Sequence, residues 1–377
     1  MTENSDRLER LWRAMDAHGV DLVFLPPQTD LEYFTGLKRR VPSFGNIGYT
    51  SNWVAGAFIA PGQQPLFVLP RMITEFDLPD GVDGEIVTVS ETDDAVSLFT
   101  AAMDSVSAHP RRIAIGERAW ADTVLQLRAH RPGADVVSAT PLINPLRRIK
   151  SAAELELMRQ AAVLVDTVLG SISPSVVAGI TELELASEID FRMRETGSIG
   201  ASFDTGVWSM GPGVDRDATV RISNQPLRPG SGVSFDFGSV IDGYCSDFGR
   251  TIHIGEPDDE YERVYEMVMA AQAAGAAAVH PGATAADVHR ATRAVIVEGG
   301  YGDWFRHRTG HCIGKDVHEL PYISEEDNTV LEPGMAFTIE PSVFWPGRVG
   351  VRVEDIFVCT ETGVMRLNEY PTTLVAH

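Results

Sequence analysis

One stretch of the chain, residues 231–251, has the sequence SGVSFDFGSVIDGYCSDFGRT, which predicts a β-hairpin. Residues 232–240 alternate in the manner of a half-buried strand. The dipeptide Asp242-Gly243 is a strong two-residue turn signal, and residues 244–254 resume the extended pattern. Because a tight turn fixes the register of its strands, it also fixes which side chains share a face.

Two aspartates of this hairpin are predicted to point to the same side. In the predicted register Asp236 lies opposite Gly249, and Asp247 lies diagonally beside Asp236. Two carboxylates on a buried face repel each other unless a cation lies between them or one of them is protonated. The hairpin is rich in aromatic residues, namely Phe235, Phe237, Tyr244 and Phe248. The pattern therefore favours a buried site over a pair of solvated aspartates.

Three downstream residues are candidates to complete this site. His311 lies in FRHRTGHCIGKDVHELP, Glu340 in GMAFTIEP and Glu354 in GVRVEDIFV. The order Asp, Asp, His, Glu, Glu in these contexts resembles the pita-bread metallopeptidase family, in its creatinase, prolidase and aminopeptidase P branch. The motifs cover the C-terminal half of the chain, and the N-terminal half is compatible with the same branch.

The chain is too long for one ordinary core, which predicts two domains. Strand and helix patterns alternate in the first part, as in an α/β domain. The segment NPLRRIK (residues 144–150) stands where the second domain of the family begins. We therefore expect an α/β creatinase-like domain over residues 1–145 and an α+β pita-bread catalytic domain over residues 146–377.

The second domain is predicted to contain an internal pseudo-two-fold repeat. Ser151 with Glu154, and Thr181 with Glu184, form two capping boxes that open successive helices. A weaker copy of the pattern follows helix 258–279 and has Asp287 at its capping position. A duplicated half folded around a curved sheet would put the metal carboxylates in the crease between the halves.

The resemblance implies that two divalent metal ions are held by five ligands, Asp236, Asp247, His311, Glu340 and Glu354. Asp236 and Glu354 would bridge the ions, and Glu340 would also accept a proton from a metal-bridging water. Oxygen-rich coordination suits Mn(II), Fe(II) or Co(II), with Zn(II) as a further candidate. Paired metals activate water and polarise a carbonyl, so the implied reaction is hydrolysis of a C–N bond.

Three more residues are candidates for catalysis. His318, in DVHELP, matches the histidine of the family that contacts substrate and steadies the tetrahedral intermediate. His307 precedes His311 by four residues and is either an orienting residue or a substrate contact. Arg352 shares strand parity with Glu354 and would neutralise a ligand carboxylate or a substrate carboxylate.

The chain departs from the family pattern in two places. Between Ser202 and Ser231, where peptidase members carry a substrate-contacting histidine, it has none. Asp215 or Asp217 would take that place and favour a cationic or donating substrate group, with weak or absent activity on Xaa-Pro peptides. Cys312 stands where the motif usually has glycine, and its expected role is packing.

Several functions are compatible with these residues. The leading hypothesis is a dinuclear-metal hydrolase of the Xaa-Pro peptidase (prolidase/aminopeptidase P) type, with a small-molecule or dipeptide substrate. The missing histidine favours a creatinase-like or ectoine-hydrolase-like amidohydrolase acting on a small non-peptide substrate. A sulfoniopropionate lyase would need an extra aspartate near Asp236, where Ser234 stands. A metal-free binding module would not need all five ligands.

Composition and loops bear on partners and location. The net charge of -22 argues against nucleic acid and anionic membrane as partners. Three scattered cysteines and an N-terminus without an apolar signal core predict a cytoplasmic protein. In the family, loops of the first domain often reach the other subunit's active site. The long polar loop 38–51 therefore predicts a homodimer and a substrate-gating role.

Overall fold

The computed structural model describes residues 3–39, 51–78, 81–214, 216–220 and 222–377. The chain divides into two compact units, Met1–Arg147 and Arg148–His377. The predicted boundary after residue 145 lies two residues before this division. Among the helices in the described ranges, none combines the length and the apolar character needed to cross a bilayer.

The first unit is an α/β domain, as predicted. Its elements are α1 (Glu3–His18), β1 (Leu22–Leu25), α2 (Thr29–Thr35), a 3-10 helix (Asn52–Val54), β2 (Gly56–Ile59), β3 (Leu66–Pro70), α3 (Arg71–Phe76), β4 (Glu85–Val89), α4 (Ala95–Val106), β5 (Arg112–Ile115), α5 (Ala121–His130), β6 (Asp135–Ser138) and α6 (Thr140–Arg148). The strands form one mixed sheet of order β4-β3-β2-β1-β5-β6. Successive residues of β1 belong to two different apolar clusters, so both faces of this central strand are buried.

The second unit is an α+β domain. Its elements are α7 (Ala152–Ile172), a 3-10 helix (Ser173–Ser175), α8 (Glu182–Glu195), β7 (Gly206–Met210), β8 (Gly232–Phe237), β9 (Val240–Ile241), β10 (Tyr244–Cys245), β11 (Phe248–His253), α9 (Asp259–Ala277), α10 (Ala285–Glu298), a 3-10 helix (Gly302–Trp304), β12 (Gly310–Cys312), β13 (Glu319–Ile323), β14 (Ala336–Ile339), β15 (Ser342–Trp345), β16 (Val349–Arg352), β17 (Asp355–Thr360), β18 (Gly363–Arg366) and β19 (Val375–Ala376). The two larger sheets have the orders β19-β11-β8-β7 and β13-β12-β14-β17-β18.

The predicted repeat is present as a helix pair followed by strands, first α7 and α8 with β7 to β11, then α9 and α10 with β12 to β18. Capping boxes open α7, α8 and α10, as the sequence predicts. In α10 the Asp287 carboxylate accepts from the backbone N–H of Thr284 at 2.8 Å, and the Asp287 N–H donates to the Thr284 hydroxyl at 3.1 Å. Each box satisfies backbone donors that a helix start leaves free.

The hairpin has the predicted register, with Asp236 opposite Gly249. Asp242 and Gly243 have φ angles of 46° and 83°, the left-handed pair that the tightest hairpin turn requires. The extended segments predicted over residues 232–240 and 244–254 are each interrupted, since β8 with β11 and β9 with β10 form separate ladders. Between them the backbone N–H of Ser239 donates to the Ser246 hydroxyl at 2.9 Å rather than to a carbonyl.

Candidate metal centre

The five predicted ligands lie at or beside strand ends in the second unit. Asp236 is in β8, and Asp247 directly precedes β11. His311 is the middle residue of β12, and Glu340 follows the last residue of β14. Glu354 lies between β16 and β17, and it forms an isolated bridge to Gly249 of β11 in the same hairpin. Both halves of the repeat therefore contribute predicted ligands.

The structure brings these five side chains together in a buried cluster. Ligand atoms of Asp236, Asp247 and Glu354 all lie within 4.8 Å of one another. The Nε2 atom of His311 lies 3.2 Å from Oδ2 of Asp247 and 3.7 Å from Oε1 of Glu340. All five residues are at most 8% exposed, so water cannot screen the repulsion among the carboxylates.

Three carboxylates of the cluster, those of Asp247, Glu340 and Glu354, have a raised pKa when no cation is bound. Burial and the neighbouring Asp236 raise the pKa of Asp247 to about 7. Burial and the other carboxylates raise the pKa of Glu354 well above its ordinary value, and burial also raises the pKa of Glu340. Like charges in a desolvated site disfavour further ionisation, which a bound cation would reverse.

Arg352 is the only side-chain cation, among the described residues, that forms ion pairs with three of the predicted ligands. Its Nη1 donates to Oδ2 of Asp236 at 2.6 Å, and its guanidinium lies 3.5 Å from Glu340 and 3.7 Å from Glu354. Burial alone lowers the Arg352 pKa, but the surrounding carboxylates outweigh it and raise the pKa. Arg352 thus supplies one positive charge against four carboxylates.

The donor atoms suit divalent metal ions. Asp247 Oδ1 and Glu354 Oε2 are buried, and neither accepts a hydrogen bond from any described residue. The Nδ1 atom of His311 donates to the Cys312 carbonyl at 3.1 Å, which leaves the Nε2 lone pair facing the carboxylates. Carboxylate oxygens with one imidazole nitrogen are ligands that Mn(II), Fe(II), Co(II) and Zn(II) all accept.

Of the two other predicted histidines, His318 contacts a residue of this cluster. The ring of His318 contacts the ring of His311 edge to face, with centroids 4.1 Å apart. Burial and the neighbouring His311 lower the pKa of His318 to about 4, so its ring is neutral at pH 7. His307 donates from Nδ1 to the Arg308 carbonyl at 2.6 Å and accepts at Nε2 from the Ser342 hydroxyl at 2.6 Å.

The predicted substrate aspartates are only partly described. Asp217 accepts two hydrogen bonds from the Arg306 guanidinium, at 2.7 and 2.9 Å. Asp215 lies outside the described residues, and so do residues 40–50 of the predicted gating loop. Cys312 is fully buried, and burial raises its pKa to about 12, so it remains a thiol that packs beside the ligand histidine.

Two supporting residues were missed from the sequence. Thr338 accepts from the His311 N–H at 3.2 Å and donates to Oε1 of Glu340 at 3.3 Å, so one hydroxyl joins two predicted ligands. The sequence could have indicated Thr338, because it lies two residues before Glu340 and so faces the same side of the strand. Arg250 is fully buried, donating to Asp355 at 2.7 Å and to the Glu354 carbonyl at 2.6 Å. The local sequence signal for the pair of Arg250 and Asp355 was the adjacent acidic residues Glu354 and Asp355.

Comparisons with known proteins agree with this architecture. Residues 156–361 match metallopeptidase family M24, and residues 7–149 match the Creatinase/Prolidase N-terminal domain. The probable dipeptidase PepE of Mycobacterium tuberculosis is 34% identical over 95% of this chain and 92% of the relative. An Xaa-Pro dipeptidase of Lactobacillus delbrueckii subsp. lactis is 29% identical over 94% of this chain and 95% of the relative.

A crystal structure of recombinant prolidase from Thermococcus sibiricus has a TM-score of 0.90 to this chain, at 28% identity and with 100% of both chains covered. The fold and the buried carboxylate cluster define a metal-dependent hydrolase with a pita-bread catalytic domain. The chain belongs to metallopeptidase family M24, and its first unit is a creatinase/prolidase N-terminal domain.

Proposed function

We propose that this protein is an Xaa-Pro dipeptidase that holds two divalent metal ions, Mn(II), Fe(II), Co(II) or Zn(II). The observation that carries the proposal is the buried cluster of Asp236, Asp247, His311, Glu340 and Glu354. Four carboxylates and one imidazole balance the charge of two divalent ions. The name of the Lactobacillus relative supports the substrate class.

The chain's own residues have distinct roles in this proposal. When bound to these ligands, the two ions would polarise the scissile carbonyl and lower the pKa of water. Glu340 accepts a proton at its carboxylate, which lies inside the cluster with Oε1 3.7 Å from Nε2 of His311. His318 is neutral and contacts the substrate, and His307 orients its neighbours through Ser342. Arg352 holds Asp236 in place.

The second candidate is an amidohydrolase that acts on a small non-peptide C–N bond. The absence of histidine between residues 202 and 231 favours it, because Asp215 or Asp217 would then meet the substrate. A screen of Xaa-Pro dipeptides against guanidino and cyclic amidine compounds, with Mn(II), Co(II) or Zn(II) supplied, separates the two. Turnover of Xaa-Pro dipeptides alone supports the dipeptidase, and turnover of the other compounds alone rejects it.

We also propose a homodimer located in the cytoplasm, with the boundary between the two domains of each chain after residue 145. The proposal of a dimer rests on the polar segment 38–51, which the sequence predicts to be a loop, and on the family. The proposed location rests on the scattered free cysteines. Light scattering at micromolar concentration tests the dimer. Separate expression of residues 146–377 tests whether the second domain folds alone.

A further inference from the structure

A buried ion pair lies beside the metal centre and is not used by the proposed chemistry. Lys150, which directly precedes the N-cap of α7, donates from Nζ to Oε2 of Glu319 at 3.0 Å. The Lys150 side chain is 2% exposed and the Glu319 side chain is 6% exposed. The partners are 169 residues apart in the chain. The pair therefore ties the start of α7 to the start of β13.

The chain fits tightly around this pair. A Cβ atom on Gly314 would lie 2.8 Å from Oε1 of Glu319 and 2.9 Å from Cε of Lys150. The backbone N–H of Asp316 donates to Oε1 of Glu319 at 3.2 Å. The backbone N–H of Lys150 donates to the Gly334 carbonyl at 2.9 Å, which anchors the lysine itself. Residues 314–319 thus pack closely around the charged groups of Lys150 and Glu319.

The residue inside this turn with a predicted chemical role is His318. It directly precedes Glu319, and its ring contacts the His311 ring with centroids 4.1 Å apart. Lys150 holds the Glu319 carboxylate, and Glu319 shares a peptide bond with His318. The anchored Glu319 side chain therefore restrains the backbone next to His318.

Stability alone does not explain the pair. Two charges taken out of water lose hydration that their mutual attraction only partly returns, and apolar replacements of buried pairs are often neutral or stabilising. We propose that Lys150 and Glu319 are positioning residues for His318, which they hold at the orientation that substrate contact requires. This inference rests on the proposed function for the role of His318, and it predicts a functional effect separate from stability.

The test is a double-mutant cycle with His318→Ala. The paired variant Lys150→Met with Glu319→Gln removes both charges together, so that neither is left buried without its partner. We expect it to unfold at or above the wild-type temperature and to lose about tenfold in kcat/KM on an Xaa-Pro dipeptide. In the His318→Ala background the same pair of changes should leave kcat/KM unchanged, because the residue they position is gone.

The matched control is Glu182→Gln. Glu182 is also a buried carboxylate paired with a cation, Arg216, and it accepts from the Ser209 and Ser223 backbones at 2.7 and 2.8 Å. Its effect on kcat/KM, whatever its size, should be the same with and without His318. If the fold loss in kcat/KM from the Lys150 and Glu319 changes is the same with and without His318, the positioning role is overturned.

A spectroscopic measurement separates this inference from the proposed function. In Zn(II)-loaded full-length protein labelled at histidine Cε1, the His318 resonance is identified by its loss in His318→Ala. The paired variant should shift that resonance, because the ring leaves its contact with His311, and Glu182→Gln should not. An unshifted resonance overturns the inference. Failure of the wild-type protein to cleave Xaa-Pro dipeptides rejects the proposed function instead.

Discussion

A Cβ atom on Gly249 would lie 2.6 Å from Oε2 of Glu354 and 3.0 Å from its Cβ. Gly249 stands opposite Asp236 in the hairpin, so the absent side chain leaves room for a predicted ligand. We expect Gly249→Ala to push Glu354 aside and to weaken metal binding by about tenfold or more, as for other changes that displace a ligand. Isothermal titration of the metal-free protein with Mn(II) measures this.

The control for that substitution is Gly170→Ala in α7. A Cβ atom there would meet only Tyr370, at an ordinary 3.8 Å. Alanine in place of a helical glycine should leave Mn(II) affinity unchanged and stabilise the protein by about 0.5–1 kcal/mol. Equal Mn(II) affinity in Gly249→Ala and wild type would rule out the steric account.

Arg352→Met should destabilise the metal-free protein more than the metal-loaded protein. Loss of one partner from a buried ion pair typically costs about 3–5 kcal/mol, and here it leaves Asp236 without its 2.6 Å bond from Arg352. Bound cations would neutralise the same carboxylates and reduce that cost. Thermal unfolding with and without Mn(II) gives both values.

The surface variant Arg348→Met serves as the comparison for Arg352→Met. Its partner Glu260 is partly exposed, so the expected cost is about 0–1 kcal/mol with or without metal. An equal loss for Arg352→Met in the two metal states would show that Arg352 does not balance the cluster's charge.

Thr338→Val keeps the shape of the side chain but removes the hydroxyl that joins His311 to Glu340. We expect metal affinity to fall by about 10–100-fold, because both ligands lose an orienting hydrogen bond. The same change at Thr167, an exposed residue of α7 that bonds only to its own helix, should have no effect on affinity. Unaltered affinity in Thr338→Val would remove this residue from the support of the site.

The stability of the metal-free protein should fall as pH rises. The pKa of Asp247 is raised from 3.8 to about 7, mainly by burial, so the folded state holds this proton more tightly than the unfolded chain. The resulting stabilisation is fully present below pH 3.8 and is lost as the pH approaches about 7. Urea unfolding of metal-stripped protein across that interval measures the slope.

Asp247→Asn is the matched control for the pH series, because the asparagine side chain cannot titrate. The stability of this metal-free variant should decline less steeply as pH rises. In the Mn(II)-loaded protein the dependence should reverse, because protons compete with the metal for the same oxygens. Metal-free stability that rises over this interval would contradict the raised pKa.

Asp217→Asn tests the predicted contact with a cationic substrate group. The carboxylate is ionised, because its hydrogen bonds from Arg306 lower its pKa. If the Asp217 carboxylate contacts a cationic side chain of the substrate, Asp217→Asn should reduce kcat/KM more on Lys-Pro than on Leu-Pro. Arg306→Gln frees the same carboxylate and should shift the preference toward Lys-Pro. An unchanged ratio in both variants would exclude the contact.

Local chemistry explains what was predicted well. The register of Asp236 opposite Gly249 follows from Asp242-Gly243, because a two-residue turn leaves no freedom in the pairing. The capping box of Ser151 with Glu154 is likewise contained in four consecutive residues. Such features are set by short-range backbone geometry, which a sequence shows directly.

The missed features are pairs that the sequence keeps apart. Lys150 and Glu319 are 169 residues apart, and Asp217 and Arg306 are 89 residues apart. Nothing in the neighbourhood of either partner specifies the other, because their contact depends on how whole sheets and helices pack. The break at Ser239 was missed for a related reason, since it depends on a serine side chain that replaces a backbone acceptor.

The order of the ligands along the chain has a consequence for biosynthesis. Asp236 and Asp247 leave the ribosome together on one hairpin, whereas His311, Glu340 and Glu354 follow much later. A nascent chain that has reached residue 300 would therefore present two mutually repelling carboxylates without the other three of the five predicted ligands. We expect metal loading to follow completion of the second half, so that the cell's metal supply acts on the finished domain rather than on the growing chain.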